Sequence, residues 1–598
     1  MKRRVADIIV DILEENNITD CFLVVGGGAM HLDNALALNH NINKYCNHHE
    51  QACAMAADAY ARVSGKMAAV CVTSGPGATN AITGVMGAYQ DSLPMIVISG
   101  QVRYEVSSMQ TGLPLRYRGI QEFDIITSVR NMTKYAVMIT DPLSVRAEME
   151  KAIRIALSGR RGPVWIDVPL DIQSTMVESD ELYIDTCAET HKKNIENSDL
   201  ECMMELLQTA KRPCILGGTG IISADVRDEF ITFVEKAGIP VISGGWCTDM
   251  LYTDHPLYFG LSGDIGSRTS NFIVQNADVI LVLGNSLSFR QTGYAQDKFA
   301  VNAKIIWVDA DENERKKPGM RAELFICADL HDFFDACKNL QMDISVPKKW
   351  LGYCNNLRTR FTPYESIETI DNEARVNSYY FWKVFEESAP DDAVIAMGNS
   401  RANAAKIQVG VKKAKQRAIT NYLCGSMGFE LPAAIGCAVA LHREILCITG
   451  DGSIMMNLQE LQTIIHNKLP VKVIVFSNEG YEAIRQTCKN FFQGTYLGCT
   501  EESGISFPDF QKVFKAFGFV CNCCENNDEV RDKLQWFLET KGHVFLEIKQ
   551  QIDNPLIPKV MSRMREDGTF ETPALHDMAP FLDKEELSEL MIGEKTDV

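Results

Sequence analysis

The sequence LCITGDGSIMMNLQELQTIIHNKLPVKVIVFSNEG occupies residues 446–480 and contains two apolar runs that flank a helical pattern. The first run ends in polar residues at 450–453, and the second ends in polar residues at 477–478. Asn457 and Glu460 have the spacing of a capping box, so we expect the intervening helix to begin near Asn457. The pattern predicts a β-strand, helix, β-strand unit with its polar residues at the strand ends.

These polar residues predict a site for a magnesium diphosphate. Neighbouring parallel strands would place Asp451 and Asn478 side by side at the carboxyl edge of a sheet. A carboxylate, an amide oxygen and the backbone carbonyl of Gly480 are ligands that Mg²⁺ takes together with phosphate oxygens. Gly450 and Gly452 let the backbone approach a bulky anion in front of a helix N-terminus. A Gly-Asp-Gly sequence alone is also typical of an ordinary turn. The metal site is favoured because the motif follows a predicted strand and the asparagine follows the neighbouring predicted strand.

The whole chain is expected to be a soluble protein of several domains. Its 598 residues are too many for one core, and its composition, 46% hydrophobic and 23% charged, is typical of globular proteins. The net charge of −19 argues against a nucleic-acid or anionic-membrane partner. The N-terminal apolar spacing predicts an amphipathic helix rather than a signal peptide, and no apolar run is long enough to span a membrane. The 19 cysteines show no zinc pattern, and we expect a cytoplasmic protein.

Three sets of short apolar runs alternate with helical patterns, which predicts three doubly wound α/β domains with parallel sheets. Polar stretches at 174–199 and 341–376 predict linkers, and the polar tail is expected to wrap the surface or a partner chain. The predicted strands lie at 21–25, 69–73, 95–99 and 164–168, then at 214–218, 240–245, 279–284 and 305–311, then at 393–399, 445–452, 471–478 and 544–548. The predicted domains are 1–175, 195–340 and 375–550, followed by the tail 551–598.

Further motifs extend this interpretation to the rest of the chain. They are HEQACAMAADAYAR at 49–62, TSGPGATN at 73–80 and GSMGFELPAAIG at 425–436. Together with GDGS and an asparagine 27 residues after its aspartate, they resemble the motifs of thiamine-diphosphate enzymes. That family has a pyrimidine-binding, a central and a diphosphate-binding domain. The resemblance covers about residues 1–550 and is closest to the acetolactate (acetohydroxyacid) synthase large subunits.

The resemblance implies catalytic roles. Glu50 would bond to the aminopyrimidine ring of the cofactor and promote removal of the thiazolium proton, and its apolar helical neighbours predict a poorly solvated carboxyl. Gln121, in a Gly-Ile-Gln-Glu sequence at 119–122, would bond to a donor or acceptor oxygen. Met427 would lie beneath the cofactor, and Gly425 would offer a carbonyl to the aminopyrimidine. Taken alone, Glu50 would be a surface residue and Met427 would fill a core.

The resemblance also implies cofactor contacts. The cation would be held by Asp451, Asn478 and Gly480. Segments 260–266, 284–293, 308–311 and 327–330 resemble FAD-contacting segments of the relatives, although any Rossmann-like domain has glycines at its strand ends. Thiamine-diphosphate contacts are expected from Gly26, Gly27, Pro76, Asn80, Gly398, Asn399, Ser400, Gly425, Met427, Gly450, Asp451, Gly452, Ser453, Asn478 and Ile484. Contacts to FAD, the candidate second cofactor, are expected from Gly218, Gly263, Arg290, Asp309 and Asp329.

The chain departs from its relatives around the expected substrate pocket. Relatives carry a phenylalanine where Ile120 stands, a valine where Ile484 stands and a tryptophan where Thr487 stands. They also carry Gly-Gln-His at 398–400 and a second asparagine in place of Ser477. Replacing a tryptophan with a threonine enlarges a pocket by most of the volume of the large aromatic side chain. We therefore expect a retained donor side and a remodelled acceptor side.

The sequence thus predicts a magnesium- and thiamine-diphosphate-dependent carboligase. It would decarboxylate a 2-oxo acid, with pyruvate as the first choice, and transfer the two-carbon unit to a second carbonyl. The acceptor is either a second pyruvate, which gives acetolactate, or a larger molecule such as a nucleotide-linked keto-sugar in branched-sugar biosynthesis. An FAD-dependent 2-oxo acid oxidase and a non-catalytic binding protein remain open alternatives. In the family the two half-sites meet across two chains, so we expect a homodimer or a homotetramer.

Overall fold

The computed structural model describes residues 2–187, 195–245, 247–338, 340–364, 367, 371–421, 423–564 and 569–592. Within these ranges the chain forms three parallel sheets of six strands each, flanked by helices. The α/β class with three parallel-sheet domains is therefore confirmed. No helix in the described ranges is long and apolar enough to cross a membrane.

The first sheet has the strand order β3-β2-β4-β5-β7-β6. The predicted amphipathic helix is present as α1, and β1 pairs antiparallel with β8. The prediction of a linker from residue 174 is therefore wrong at β8, and residues 188–194 of that stretch lie outside the described ranges. The elements are β1 (Lys2–Arg4), α1 (Val5–Glu15), β2 (Asp20–Leu23), α2 (Met30–Leu38), β3 (Asn43–Cys46), α3 (Glu50–Ser64), β4 (Ala68–Val72), α4 (Pro76–Asn80), α5 (Ile82–Gln90), β5 (Met95–Gln101), α6 (Ile125–Val129), β6 (Tyr135–Met138), α7 (Val145–Leu157), β7 (Pro163–Pro169), α8 (Leu170–Ser174) and β8 (Met176–Glu178).

The central sheet has the order β11-β10-β9-β12-β13-β14. This is the Rossmann order, in which ligands bind beyond the carboxyl ends of the strands where the order reverses, here between β9 and β12. The elements are α9 (Asn197–Thr209), β9 (Pro213–Gly217), α10 (Gly220–Ser223), α11 (Arg227–Ala237), β10 (Val241–Ser243), β11 (Tyr258–Leu261), α12 (Arg268–Asn276), β12 (Val279–Leu283), α13 (Phe289–Thr292), β13 (Lys304–Asp309), β14 (Leu324–Cys327), α14 (Leu330–Lys338) and α15 (Lys348–Arg360).

The third sheet has the order β16-β15-β17-β18-β20-β19, which repeats the connectivity of the first sheet. Strands β17 and β18 are parallel neighbours, with Gly450 opposite Phe476, as the sequence predicts. The elements are α16 (Ser378–Ser388), β15 (Val394–Met397), α17 (Arg401–Val409), β16 (Arg417–Ile419), α18 (Glu430–Leu441), β17 (Ile445–Gly450), α19 (Asp451–Ile454), α20 (Glu460–His466), β18 (Val471–Ser477), α21 (Glu482–Phe491), α22 (Phe510–Ala516), β19 (Val520–Cys524), α23 (Val530–Glu539) and β20 (Val544–Lys549), followed in the tail by β21 (Arg563–Met564), β22 (Phe570–Glu571) and α24 (Lys584–Leu590).

The predicted capping box is wrong, because α20 begins three residues later than expected. The Asn457 amide donates to the carbonyl of Gly428 and to the side chain of Gln51. The Glu460 carboxylate accepts from the Asn47 amide and the His48 N–H. Both side chains that the capping box needs are thus bonded to the first domain, and Glu460 also accepts from the Thr463 hydroxyl within α20.

Helix α3 packs against α18 and joins the first and third domains in one hydrophobic core. Every residue of α3 from Ala52 to Ala61 is buried, as is typical of a helix that is enclosed on all sides. A Cβ atom at Gly436 would overlap the backbone carbonyl of Ala56, so the two helices touch at the glycine. This packing places the N-terminus of α3, with Glu50, at the domain boundary.

The tail lies on the central domain of its own chain. The Asn271 amide donates to the Leu575 carbonyl over 2.9 Å, and the Asn276 amide donates to the Leu590 carbonyl over 3.0 Å. Because both asparagines are on α12, one helix of the central domain holds two points of the tail.

Candidate active site

The Asp451 carboxylate is fixed at the edge between β17 and β18. One oxygen accepts from the backbone N–H groups of Asn478, over 2.9 Å, and Glu479, over 2.8 Å. The other accepts from the Gly452 N–H over 2.8 Å. Burial raises the pKa of Asp451 to about 6, and these backbone donors act in the opposite direction. The carboxylate is thus held rigidly at the predicted strand end.

The amide oxygen of Asn478 is the second element of this edge. Its nitrogen donates to Glu482 over 3.1 Å, but its oxygen is buried and has no hydrogen-bond partner. A Cβ atom at Gly480 would overlap the carbonyl of Cys499, so the backbone there is tightly packed. The described residues hold no cluster of three or more His, Cys, Asp or Glu side chains that could bind a metal. A cation here would use Asp451, the unpartnered Asn478 oxygen, the Gly480 carbonyl and phosphate oxygens, and this all-oxygen set fits Mg²⁺.

Glycines bring the two predicted diphosphate loops together. A Cβ atom at Gly450 would lie 3.1 Å from Cβ of Ser400, and one at Gly452 would overlap the Tyr481 ring. The Ser400 hydroxyl caps α17 by accepting from the Asn403 N–H. The loops at 398–400 and 450–453 are therefore neighbours, as the sequence predicts for residues that share one anion.

The turn that carries Met427 lies against these loops. The Ser453 hydroxyl accepts from the Gly428 N–H over 2.9 Å, and the Asn399 amide donates to the Gly425 carbonyl over 2.7 Å. Met427 is only partly buried and belongs to none of the hydrophobic cores of the described chain. Its exposure favours a contact with a ligand over core packing. A cavity of about 260 Å³ opens beside this turn and is lined by Arg290, Asn399, Thr420, Asn421, Leu423, Cys424 and Gly425.

Glu50 is the first residue of α3 and is 9% exposed. Its carboxylate accepts from the Asn80 amide over 2.9 Å, and a Cβ atom at Gly77 would lie 3.3 Å from its other oxygen. Pro76 occupies the first turn of α4, directly beside that glycine. The structure thus brings together Glu50, Pro76 and Asn80, three of the residues that the resemblance assigns to contacts with the cofactor.

The two glycines predicted at 26 and 27 differ in their surroundings. A Cβ atom at Gly26 would lie 2.5 Å from Cβ of Thr73, whereas one at Gly27 would meet nothing within 4 Å. Gly26 is therefore required by packing against the TSGPGATN segment, while Gly27 faces open space.

Gln121 belongs to a loop that is held by its neighbour Glu122. The Glu122 carboxylate accepts from the N–H groups of Ser108, Arg118 and Gly119, and these bonds lower its pKa although burial opposes them. Gln121 has φ +62, a conformation that is uncommon for a residue other than glycine. A Cβ atom at Gly75 would overlap the Gln121 carbonyl, so the loop touches the turn beside Glu50.

The predicted substrate residues are exposed in a single chain. Ile120 is 90% exposed and Ile484 is 48% exposed. Thr487 is also exposed, and its hydroxyl donates to the Ala483 carbonyl within α21. Within the described ranges, no hydrogen bond links Glu50 or Gln121 to these helix positions or to Asp451.

The predicted FAD residues fall into two places. A cavity of about 80 Å³ at the carboxyl ends of β9, β12, β13 and β14 is lined by residues that include Gly220, Asp309 and Asp329, and burial raises the pKa of Asp309 to about 6. Gly218 contacts the same edge, since its Cβ would overlap the Gly284 carbonyl. Arg290 lies elsewhere: it pairs with Asp264 over 3.1 Å, and a Cβ atom at Gly263 would meet its carbonyl. The 80 Å³ cavity is smaller than the 300–1,000 Å³ usual for such ligands.

Two buried carboxyl groups were missed by the sequence reasoning. Glu482 accepts from the Asn478 amide and from the Asn554 N–H, and burial raises its pKa to about 7. Glu430 accepts from the Thr449 hydroxyl over 3.0 Å, its other oxygen has no partner, and burial raises its pKa. The sequence feature that could have identified them is an acidic residue at the first position of a helix beside each predicted motif.

Comparisons with known proteins match the whole domain order. Three family profiles match the chain: "Thiamine pyrophosphate enzyme, N-terminal TPP binding domain" at 3–126, the central domain of the same family at 200–337, and its C-terminal TPP binding domain at 396–548. The chain is 32% identical over 573 residues to "Acetolactate synthase 1, chloroplastic" of Oryza sativa subsp. japonica. The matched region covers 93% of this chain and 86% of that protein. It is 30% identical over 566 residues to the acetolactate synthase isozyme 1 large subunit of Escherichia coli (strain K12), with 93% and 95% covered.

Proposed function

Because the chain belongs to the family of thiamine pyrophosphate (thiamine diphosphate) enzymes and is similar to acetolactate synthase large subunits, we propose that it is a magnesium- and thiamine-diphosphate-dependent carboligase. It decarboxylates pyruvate and transfers the two-carbon unit to a second carbonyl compound. The observation that supports this most directly is the Asp451 carboxylate held beside the unpartnered amide oxygen of Asn478.

The third domain supplies the cofactor anchor. Asp451, Asn478 and Gly480 would hold the cation, and the neighbouring loops at 398–400 and 450–453 would lie against the diphosphate. When bound, thiamine diphosphate would supply an acidic carbon and an electron sink for the decarboxylation of a 2-oxo acid. The protein contributes orientation and a site from which water is excluded.

Glu50 is proposed to hold and return a proton at the aminopyrimidine ring. Its carboxyl is buried, and the Asn80 amide fixes one oxygen by donating to it. The other oxygen is left toward the Gly77 turn, where a flat ring can approach the backbone. A carboxyl group in this setting can act as a positioned acid and base.

A larger acceptor is the second candidate, and the exposure of Ile120 and Thr487 favours it. These positions carry side chains that are smaller than the phenylalanine and tryptophan expected from the resemblance, and both are open to solvent in one chain. A nucleotide-linked keto-sugar would need such space. Product masses after incubation with pyruvate, alone and with an added aldehyde or keto-sugar, distinguish this acceptor from a second pyruvate.

FAD is proposed only as an additional cofactor of the central domain. The position of the cavity at the strand ends favours the binding of a nucleotide. Its volume and the separate position of Arg290 argue against the binding of a complete FAD by a single chain. Flavin absorbance of the purified protein tests this. Bleaching of that absorbance when pyruvate is added would favour the FAD-dependent 2-oxo acid oxidase over the carboligase.

A homodimer that completes the site is part of the proposal. Large apolar side chains are exposed on both half-sites, among them Val25 and Tyr117 in the first domain and Phe492 and Leu497 in the third. Exposed apolar surface of this kind is typical of interfaces. Light scattering of the eluted protein measures the mass and distinguishes a monomer from a homodimer or a homotetramer.

The first test measures carbon dioxide release from pyruvate with magnesium and thiamine diphosphate. We expect Glu50→Gln to lower the rate by roughly 10²–10⁴-fold, the usual contribution of a positioned acid or base. Glu387→Gln, which alters a half-exposed glutamate paired with Arg531, is the matched control. Equal rates for Glu50→Gln and wild type would remove Glu50 from the mechanism. No release by wild type would reject pyruvate, and no rise of Tm with thiamine diphosphate would favour a non-catalytic binding protein.

A further inference from the structure

Helix α21 begins at Glu482, just after the loop at 478–480 that carries two of the expected metal ligands. The buried residues of this helix are Glu482, Arg485 and Cys488. Because they are three residues apart, they lie on one side of the helix. Ile484, one of the predicted cofactor contacts, is exposed on the other side. The buried face of α21 is therefore the one that meets the loop.

Arg485 fixes the backbone of this loop. Its guanidinium donates to the Asn478 carbonyl over 3.1 Å and to the Ile552 carbonyl over 2.7 Å. A Cβ atom at Gly480 would lie 2.4 Å from a nitrogen of the same guanidinium, so the loop packs directly on α21. The main chain at 478–480 is thus held by α21, which is itself bonded to the segment after β20.

Glu482 fixes the side chain of Asn478. One of its carboxylate oxygens accepts from the Asn478 amide over 3.1 Å and from the Gln550 amide over 3.3 Å. The other oxygen accepts from the backbone N–H of Asn554 over 2.9 Å. The Asn554 amide donates to the Ser378 hydroxyl over 2.7 Å, so the segment that supplies this last bond is itself anchored. All three groups around the carboxylate are N–H donors, and the Asn478 amide meets it with its nitrogen.

The orientation of the Asn478 amide decides which atom it offers to a cation. Because its nitrogen faces Glu482, its oxygen faces away, and that oxygen is buried without a hydrogen-bond partner among the described residues. An amide oxygen is a ligand for Mg²⁺, whereas an amide NH₂ group is only a donor. If the amide were turned over, Asn478 would direct its NH₂ group at the cation and would lose its function as a ligand.

We propose that Glu482 is a positioning residue that selects the oxygen of Asn478 as a ligand for the cation. The inference rests on the proposed function, since this cation is the one that would accompany thiamine diphosphate. Groups behind the ligands of a metal site commonly fix the orientation of those ligands. The two faces of α21 then have different tasks. The buried face orients a metal ligand, and the exposed face, which carries Thr487, is open to a substrate.

The test measures binding of Mg²⁺ by calorimetry in the presence of thiamine diphosphate and without substrate. In Glu482→Gln the single remaining oxygen has to stay opposite the Asn554 N–H, because a backbone donor cannot be turned over. The new NH₂ group then faces Asn478, whose amide turns and directs its own NH₂ group at the cation. We expect the affinity for Mg²⁺ to fall roughly 10–100-fold, the usual effect of removing a partner behind a metal ligand.

Glu386→Gln is the matched control. It alters another buried glutamate of the third domain, and the hydrogen bonds of Glu386 in the described chain come from Lys406 and from the Lys412 N–H. We expect this variant to lower the Tm, because Lys406 remains buried without its partner charge, and to bind Mg²⁺ as wild type does. An equal loss of Mg²⁺ affinity in Glu386→Gln and Glu482→Gln would show a general loss of stability and would overturn the proposal.

A reciprocal exchange separates orientation from packing. In the double variant Asn478→Asp/Glu482→Gln, the amide at position 482 donates to one carboxylate oxygen at position 478, and the other oxygen faces the cation. Asn478→Asp adds a charge in either background, but only in the Glu482→Gln background does it also restore an oxygen ligand. We expect its gain in Mg²⁺ affinity to be larger there, by roughly the 10–100-fold that Glu482→Gln alone loses. Equal gains in the two backgrounds would show that Glu482 does not orient the ligand.

The same measurements separate this inference from the proposed function. If wild type and Glu482→Gln bind Mg²⁺ equally tightly, the role of Glu482 is wrong and the carboligase is unaffected. If wild type binds Mg²⁺ with thiamine diphosphate but releases no carbon dioxide from pyruvate, the carboligase is wrong and the affinities still decide the role of Glu482. If wild type binds no Mg²⁺ with the cofactor, both are wrong.

Discussion

The strand edge at 450–480 and the loop at 104–123 each carry half of the candidate site, and they are built in opposite ways. At the edge, Asp451 is buried and its oxygens accept from three backbone N–H groups of two adjacent strand ends. On the loop, Ile120 is 90% exposed and Gln121 has φ +62. The comparison indicates that the proposed cofactor end is fixed by backbone bonds within the chain, whereas the proposed substrate end is exposed in a single chain.

The loop is nevertheless tied to the core at its end. The Gln101 amide donates both to the Phe123 carbonyl, over 2.8 Å, and to the Asp167 carboxylate, over 3.1 Å. The other oxygen of Asp167 accepts from the Ser99 hydroxyl, and Asp167 is fully buried. The end of an exposed loop is therefore positioned by a buried carboxyl group on β7 of the first sheet.

The largest effect is expected at the strand edge. Asp451→Asn removes the charged ligand, and we expect magnesium-dependent binding of thiamine diphosphate to weaken by more than about 100-fold, since even residues behind the ligands cost 10–100-fold. Calorimetric titration with the cofactor measures this, and Asp391→Asn, at an exposed aspartate, is the control. The ligand-free Tm of the variant is measured alongside, because the asparagine removes a charge that burial disfavours but also turns an N–H group toward a backbone donor. If Asp451→Asn binds thiamine diphosphate as tightly as wild type does, the strand edge is not the cofactor anchor and the contrast with the loop is wrong.

Sequence distance explains how much of this could be predicted. Asp451 and Asn478 lie in one β-strand, helix, β-strand unit, so local pattern was enough to place them together. The bonds of Asn47 and His48 to Glu460 span more than 400 residues, and no local pattern contains them. The same bonds made the predicted capping box wrong. Strands β3 and β19 were missed because, at the sheet edges, they are largely exposed or half-buried and lack apolar runs.

A substitution in the proposed acceptor pocket should change the selectivity for the acceptor without changing the decarboxylation of pyruvate. Thr487→Trp restores the large side chain expected from the relatives, and we expect discrimination against a larger acceptor to rise roughly 10–200-fold, the range for a change in pocket shape. Competition between pyruvate and the larger acceptor, read from product masses, measures this ratio. Thr209→Trp is the matched control, because Thr209 is also an exposed helix residue whose hydroxyl donates to the carbonyl four residues earlier. In both variants carbon dioxide release from pyruvate should remain near the wild-type rate. Equal loss for both acceptors would show that α21 belongs to the rigid half of the site.

The smallest effect concerns the anchor of the loop and its dependence on pH. Burial raises the pKa of Asp167 from 3.8 to about 7, although Ser99 and Gln101 donate to it. Between these two values the folded protein binds more protons at Asp167 than the unfolded chain does, so its stability falls as pH rises through this window. Asp167→Asn carries no charge at any pH. The variant should therefore gain Tm relative to wild type by a few degrees between about pH 4 and pH 8, whatever constant offset its altered hydrogen bonds produce. Parallel Tm curves for the two proteins would show that Asp167 is not the buried charge beneath the loop.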